Sequence, residues 1–325
     1  MFVPFRLATS RFSTLALRRC YSAQPASPLK SNTIQSLHEK YLKGIPITVS
    51  TAHDYITSQW VHDANCDAIL VGDSLAMTAL GYESTTDISF DEFKYHVRSV
   101  CRAQGPSMIM ADMPFGTFES SIQTGITNAI DIMKLSSKIA SVKVETGPHT
   151  KDSYTIGFIK ELCSRGIPVV GHCGLTPQRA HSLGGFKVQG NKRIEDISIL
   201  CETAKKLEEA GCWAILMECV PHKVASYITS KLSVPVIGIG AGPGCSGQVL
   251  VIADMIGMKQ NSLPRFVKQY GQLHSHAQDA LSQYVKEVEE STFPNQELHT
   301  FKIKEDLWKS FLDDTNKNSN INNTN

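Results

Sequence analysis

Short apolar segments alternate with longer segments of helical periodicity along most of the chain. The apolar segments are hydrophobic at nearly every position rather than at every second one, which predicts parallel strands covered on both faces. The predicted strands are residues 47–52, 68–72, 108–112, 141–145, 168–172, 214–218, 234–240 and, with a weaker pattern, 249–254. The helical segments between them include residues 90–102, 122–138, 151–164, 194–210 and 222–230.

This order predicts an α/β protein, a closed (β/α)8 TIM barrel, because about eight such units in about 250 residues are typical of that fold. A doubly wound Rossmann sheet is the alternative. It needs the pattern G-x-G-x-x-G after its first strand, and Ala52-His53-Asp54-Tyr55 lacks this pattern. Residues 263–288 predict extra helix beyond the eighth strand, which would pack on the barrel or on a neighbouring subunit.

Composition and charge exclude several classes of function. The chain has 325 residues, of which 42% are apolar and 19% charged, as in ordinary globular proteins. No run of about 18 apolar residues occurs, so the sequence predicts no membrane span. The formal net charge of +1 gives no basic footprint for nucleic acid. Nine cysteines occur without a C-x-x-C pair, which indicates reduced cysteines in a protein core.

Basic residues without acids mark the amino-terminal segment. Residues 1–38 contain Arg6, Arg11, Arg18, Arg19 and Lys30, and the first acidic residue is Glu39. A segment rich in arginine and serine and free of acids is typical of a mitochondrial transit peptide. We therefore predict a disordered transit peptide over residues 1–30 and location in the mitochondrial matrix; a disordered basic arm is the alternative.

The predicted catalytic domain covers residues 31–300, and residues 301–325 form a carboxyl-terminal extension. From Asp313 onwards the sequence is rich in asparagine and has almost no apolar side chain. Such a segment cannot offset its own ordering entropy by burial. We therefore expect a disordered tail.

Ionisable residues follow five successive predicted strands at the same end. They are Asp73, Asp112, the pair Lys143 and Glu145, His172, and Glu218. In a barrel of this type the active site is built at the carboxyl ends of the strands. We therefore expect these side chains to meet at one rim.

Each of these residues also has a simpler interpretation. Asp73 or Asp112 could cap a helix, Lys143 could extend to solvent, and His172 could be a hydrogen-bonded core histidine. Helix caps and solvated lysines would not need to lie at one end of every strand. Charges that converge inside a barrel repel one another unless a metal ion or a substrate neutralises them. The pattern therefore favours a site.

The carboxylates Asp73, Asp112 and Glu145 form a set of hard oxygen ligands that suits Mg²⁺. No second histidine and no thiolate stands at a matching strand end, which disfavours zinc. A magnesium ion with open positions could chelate a 2-oxo acid and stabilise its enolate. Glu218 is the candidate base because apolar neighbours raise the pKa of a carboxyl group. Lys143 could hold the carboxylate of the substrate.

Seven blocks in this order carry a resemblance to a known family. They are VGDSLAM (71–77), ADMPFG (111–116), VKVE (142–145), GHCGLTPQ (171–178), GGFKVQG (184–190), MECVP (217–221) and PVIGIGAG (235–242). From about Ser31 to Glu297 the chain resembles ketopantoate hydroxymethyltransferase, also called 3-methyl-2-oxobutanoate hydroxymethyltransferase. Three loops depart from the family pattern, at Ala52-His53-Asp54, at Glu145-Thr146-Gly147 and after Gly240, but the expected metal and base positions are intact.

The resemblance implies a TIM barrel of the phosphoenolpyruvate/pyruvate-like superfamily with extra carboxyl-terminal helices. It implies transfer of a hydroxymethyl group from 5,10-methylenetetrahydrofolate to 3-methyl-2-oxobutanoate, giving 2-dehydropantoate and tetrahydrofolate in the first committed step of pantothenate and coenzyme A biosynthesis. It also implies a homo-oligomer, often a decamer.

The resemblance also implies roles for individual residues. Asp73 and Asp112 would bind Mg²⁺, or Mn²⁺ or Co²⁺, with Glu145 as a direct or water-mediated ligand. Ser74 and Lys143 would hold the substrate carboxylate, with Asp73 and Asp112 also lining the substrate site. Glu218 would be the base and His172 would lie beside the incoming hydroxymethyl group.

Two other functions remain as alternatives. A Mg²⁺-dependent lyase or mutase of the phosphoenolpyruvate mutase and isocitrate lyase superfamily would share the barrel, but it uses a Lys-Cys-Gly-His loop, whereas this chain has Gly171-His172-Cys173-Gly174. A non-catalytic barrel would be expected to have lost charges at the rim.

The glycines of residues 238–242 could cradle a phosphate, but a tight turn with close backbone approach is the favoured interpretation.

Overall fold

The computed structural model describes residues 31–147, 152–260 and 262–321. The predicted transit peptide, residues 1–30, lies outside the described residues. The described chain divides into two compact units, one that ends at Ile252 and one that begins at Ala253. This division comes before the domain boundary that we predicted at residue 300.

The first unit contains a closed barrel of parallel strands in chain order, in which each strand pairs with the next and the last pairs with the first. The strands are β1 (Ile47–Thr51), β2 (Ala68–Val71), β3 (Met108–Asp112), β4 (Ile139–Glu145), β5 (Val169–Gly174), β6 (Ala214–Glu218), β7 (Val236–Ile239) and β8 (Gly247–Leu250). The predicted TIM barrel is therefore confirmed.

The eighth strand differs from its prediction at residues 249–254. It begins at Gly247, where an added Cβ would lie 2.5 Å from the carbonyl oxygen of Ile47, so only glycine lets the two strands approach this closely. It ends at Leu250 because the chain turns, and the backbone N–H of Ile252 donates to Thr51 Oγ1 at 2.9 Å. The apolar residues from Ile252 belong to a short helix that ends at Met255.

Helices follow the strands along the chain. They are α1 (Ile34–Leu42), α2 (Tyr55–Asp63), α3 (Leu75–Thr78), α4 (Phe90–Cys101), α5 (Ile122–Lys134), α6 (Ser153–Ser164), α7 (Ala180–Leu183), α8 (Ile194–Glu209), α9 (His222–Thr229), α10 (Ile252–Met255), α11 (Leu273–Glu289) and α12 (Glu305–Ile321). Residues Thr85–Asp87 and Pro177–Arg179 form 3₁₀ turns. No helix in the described ranges is long and apolar enough to cross a membrane.

Helix α4 illustrates how the local sequence sets these elements. Ser89 and Glu92 form a reciprocal capping box at its start, and each side chain bonds the backbone N–H of the other residue. Phe93, Val97 and Val100 are buried at helical spacing, so one face of the helix is directed into the core.

The second unit corrects two expectations. The helix predicted for residues 263–288 begins only at Leu273, because Pro264 and Val267 form a turn in which the Val267 N–H donates to the Pro264 carbonyl. The tail from Asp313 was expected to be disordered, whereas α12 continues to Ile321. The first turns of α12 contain apolar residues at helical spacing, among them Trp308 and Phe311. The helix then continues through the polar residues that follow Leu312.

The barrel interior is apolar below its carboxyl end. One inward-facing layer contains residues from six strands, namely Val49, Leu70, Met110, Val170, Leu216 and Ile237. All six are at most 8% exposed. The described cysteines are free, and Cys101, Cys173 and Cys212 are buried, which agrees with the prediction that cysteines serve as core residues.

Candidate active site

Directly above the apolar layer the strands change from hydrophobic to ionisable residues. Asp112, His172 and Glu218 each lie two positions after an inward-facing residue of the same strand. Because side chains in a strand alternate between its two faces, the three polar groups also face the barrel axis. Asp112 is in register with Lys143 on β4, and Glu145 is in register with His172 on β5. The predicted rim residues therefore meet at one end of the barrel.

Asp73 and Asp112 are linked to each other rather than serving as caps of their own helices. Asp112 Oδ2 accepts a hydrogen bond from the backbone N–H of Asp73 at 2.9 Å. The residue that precedes α3 is Ser74, and its side chain makes no capping hydrogen bond. Both aspartates are almost completely buried, with 3% and 1% of their surface exposed. The structure therefore does not support the helix-cap interpretation of either residue.

Lys143 is an internal cation, not a solvated surface lysine. Its Nζ lies 3.0 Å from Asp112 Oδ1 and 3.4 Å from Glu145 Oε1, and its side chain is 5% exposed. Burial disfavours the ammonium ion, but Asp112 and Glu145 outweigh burial and raise the pKa of Lys143. The group therefore remains charged and can offer N–H donors to an anion.

His172 lies between two carboxylates at the rim. Its Nδ1 is 3.3 Å from Glu145 Oε1 and also 3.3 Å from Lys143 Nζ, while its Nε2 is 3.5 Å from Glu218 Oε2. That last distance is a close contact, since Nε2 makes no hydrogen bond to any described group. Burial, and then Lys143, lower the pKa of His172, so the ring is neutral.

Glu218 differs from the other carboxylates because it remains partly accessible, with 17% of its side chain exposed. Burial raises its pKa to about 8, and the negative charge of Glu145 adds to the effect. A carboxylate with a raised pKa binds a proton more strongly and is a better general base. Its position at the end of β6 makes it reachable from the barrel mouth.

Excess negative charge surrounds Asp73 and Asp112. Burial raises the pKa of both residues, and for Asp73 the neighbouring Asp112 and Glu145 raise it further. Glu145 behaves differently: burial opposes its ionisation, but Lys143 outweighs burial and brings the pKa down to about 2. Within the described residues the carboxylates Asp73, Asp112, Glu145 and Glu218 thus share a single ammonium group, Lys143. A divalent cation would balance this charge.

Gln178 is a member of the site that sequence reasoning missed. It lies in the 3₁₀ turn Pro177–Arg179 after β5 and is 5% exposed. Its Nε2 donates to Asp73 Oδ2 at 2.7 Å, and its backbone N–H donates to Glu145 Oε2 at 3.0 Å. The block GHCGLTPQ contains it, but a neutral amide beyond the strand end carries no signal of charge.

Ser74 lies beside Asp73 at the start of α3 and is half-buried.

The glycines after β7 are explained by packing, since an added Cβ on Gly242 would lie 2.4 Å from His222 Cβ and the residue has φ +82°. This agrees with a tight turn of closely approaching backbone.

Across the described ranges, no three His, Cys, Asp or Glu side chains converge closely enough to hold a metal ion by themselves.

Comparisons with known proteins point to one family. Residues 31–296 match the family described as ketopantoate hydroxymethyltransferase. The 3-methyl-2-oxobutanoate hydroxymethyltransferase of Saccharomyces cerevisiae is 61% identical over 289 residues, which cover 89% of this chain and 93% of the yeast protein. The protein of the same name from Emericella nidulans is 44% identical over 288 residues, which cover 88% of this chain and 80% of that protein.

Solved structures support the fold alone. Phosphoenolpyruvate phosphomutase from Streptomyces platensis has a TM-score of 0.53 at 13% identity, with 89% of this chain and 99% of that chain covered. 2,3-Dimethylmalate lyase, a member of the PEP mutase/isocitrate lyase superfamily, has a TM-score of 0.53 at 12% identity, with 83% and 89% covered. These likenesses agree with the barrel fold.

Proposed function

Because the chain belongs to the ketopantoate hydroxymethyltransferase family, and is therefore a hydroxymethyltransferase of pantothenate biosynthesis, we propose that it converts 3-methyl-2-oxobutanoate to 2-dehydropantoate. The one-carbon donor in this proposal is 5,10-methylenetetrahydrofolate, which leaves as tetrahydrofolate. The observation that supports this reaction most directly is Glu218, a carboxylate of raised pKa at the barrel mouth, in a site that also contains the buried ammonium group of Lys143.

Glu218 is the proposed base. It removes the proton from the branched carbon of the ketoacid, next to the carbonyl group. The resulting carbanion forms a carbon–carbon bond with the methylene carbon of the donor. Water supplies the hydroxyl group as the bonds from this carbon to the two folate nitrogens break. The proton from the ketoacid and the two protons of water end as one proton on the hydroxyl group and one on each nitrogen. His172, 3.5 Å from Glu218, would lie beside the incoming one-carbon group.

The donor set fits a divalent cation. Asp73 and Asp112 provide buried hard oxygen atoms, and Asp112 Oδ1 has only the ion pair with Lys143 and no hydrogen bond of good geometry. We propose that these two residues hold Mg²⁺, with Glu145 as a ligand directly or through water. Mn²⁺ or Co²⁺ could take the same place. A bound cation would polarise the keto oxygen as a Lewis acid.

Lys143 and Ser74 are the proposed partners of the substrate carboxylate. Lys143 has three N–H donors, and its neighbours Asp112 and Glu145 hold the ammonium group in place. Ser74 begins α3 next to Asp73, so its hydroxyl group is near the same rim. Together they would direct the carboxylate away from Glu218 and leave the branched carbon facing the base.

Location and assembly are further parts of the proposal. The acid-free amino-terminal segment supports import into the mitochondrial matrix. A homo-oligomer is supported by α11, which has no buried residue in the chain and exposes Leu281, Tyr284, Val285 and Val288 along one side. A decamer is the assembly that we propose.

The reaction can be tested by following 2-dehydropantoate with both substrates present, once with Mg²⁺ and once with excess EDTA. We expect product with Mg²⁺, loss of nearly all activity with EDTA, and recovery when Mg²⁺ is returned in excess. Equal rates in both conditions would contradict the cation site but not the transfer reaction. Absence of product with Mg²⁺ would contradict the transfer reaction itself.

A further inference from the structure

Gln178 connects the ends of three strands at the catalytic rim. Its side-chain nitrogen reaches Asp73 after β2 and also donates to the carbonyl oxygen of Met113, after β3, at 3.0 Å. Its backbone N–H reaches Glu145 at the end of β4. One residue therefore fixes groups that are 105 and 33 positions away in the sequence.

The orientation of the Gln178 amide follows from its partners. A carboxylate oxygen and a carbonyl oxygen both accept hydrogen bonds, so the NH₂ group must face Asp73 and Met113. Both N–H bonds are used by these contacts. Oε1 is then left buried without a partner among the described groups. A buried acceptor of this kind is unfavourable unless a donor reaches it.

The backbone around Gln178 is anchored as well. Arg179 N–H donates to the Thr176 carbonyl at 2.9 Å, and Leu175 N–H donates to the Glu218 carbonyl at 2.9 Å. The position of the amide is therefore tied to β6 and does not depend on a flexible loop. A side chain held in this way can set the orientation of Asp73.

We infer that Gln178 is a positioning residue that holds Asp73 and Glu145 in the orientation needed to bind a divalent cation. The inference rests on the proposed cation site. Gln178 itself does not touch the reacting carbon, and it acts through the two carboxylates.

The test measures binding of Mn²⁺ alone to the full-length protein without substrates, by the electron paramagnetic resonance signal of the free ion. Gln178→Met retains the size of the side chain and the backbone contact to Glu145, but it removes the amide donor to Asp73. Gln178→Asn retains an amide that is one methylene too short. Loss of an outer hydrogen-bond partner typically weakens metal binding about 10–100-fold, and we expect this for both variants.

Two controls frame the result. Gln123→Met makes the same change on the exposed face of α5 and should bind Mn²⁺ like wild type. Asp73→Asn should lose most of the binding. In addition, high Mg²⁺ should restore most of kcat in Gln178→Met, which would not occur if the substitution merely damaged the fold.

The inference is overturned if Asp73→Asn loses Mn²⁺ while folded Gln178→Met and Gln178→Asn bind it as tightly as wild type. It is also overturned, together with the cation site, if the wild-type protein binds no Mn²⁺. Circular dichroism identifies folded variants, and Gln178→Asn decides the question if Gln178→Met does not fold. The two failures are distinguishable because only the second affects the wild-type protein.

Discussion

The buried polar side chains at the rim differ in how well the sequence predicts them. Asp73 follows an apolar strand and Glu218 ends one, so the convergence of strand ends in a barrel predicts where their side chains lie. Gln178 lies beyond the end of β5, and its importance depends on a turn that brings residues 105 positions apart into contact. A single sequence carries no measure of that contact, and an uncharged side chain adds nothing to the pattern of ionisable residues.

His62 is a buried histidine outside the rim, and burial lowers its pKa. It is 3% exposed, and its Nδ1 accepts a hydrogen bond from the backbone N–H of Ser107, just before β3. Burial, and then Lys138, lower the pKa of His62, so the folded protein holds the ring neutral. An exposed histidine in the unfolded chain has a pKa of about 6.5.

The lowered pKa of His62 predicts a loss of stability in acid. As the pH falls below about 6.5, the unfolded chain takes up a proton that folded His62 does not, so the free energy of unfolding decreases until the folded pKa is reached. In His62→Gln we expect a flatter dependence of the urea midpoint between pH 7.5 and 5.5. The exposed residue His181 provides the control His181→Gln, which should follow wild type. Parallel curves for wild type and His62→Gln would contradict the prediction.

At the scale of elements, strands buried on both faces were the most predictable part of the chain. Seven of the eight strands share at least four residues with their predicted ranges, since continuous apolar segments have few other uses in a large α/β protein. The eighth strand and the start of α11 were misplaced. Gly247 sets the start of β8 and Pro264 delays the start of α11 through backbone geometry, which the pattern of apolar residues does not reflect.

Helix α11 has large apolar side chains exposed along one side. Leu281 is 65% exposed and Val285 is 52% exposed, one helical turn apart. The proposed homo-oligomer would bury this side against another copy of the chain.

The double variant Leu281→Lys/Val285→Lys should therefore shift the protein to smaller species in sedimentation velocity. Gln283→Lys places one positive charge on the other side of α11 and should leave the distribution unchanged. Assembly is independent of this helix if both variants sediment like wild type. The size of the wild-type species gives the subunit number.

At the scale of the whole molecule, the barrel turns a repeated sequence pattern into one reactive rim. Five successive strands, β2 to β6, supply one or two side chains each, and closure of the sheet places Asp112, Lys143, His172 and Glu218 within contact distance of their neighbours. The sequence could predict this set because the fold dictates that strand ends converge. It could not predict distances or protonation states, since these depend on burial and on neighbours from other strands.

The step proposed for Glu218, removal of the proton next to the carbonyl group, can be measured without the folate donor. In D₂O with Mg²⁺, the wild-type protein should exchange the C3 hydrogen of 3-methyl-2-oxobutanoate for deuterium, as followed by proton NMR. Glu218→Gln should exchange this hydrogen about 10²–10⁴-fold more slowly, which is the usual contribution of a general base. Glu202→Gln, an exposed change on α8, should match wild type. Exchange by Glu218→Gln at the wild-type rate would contradict the account.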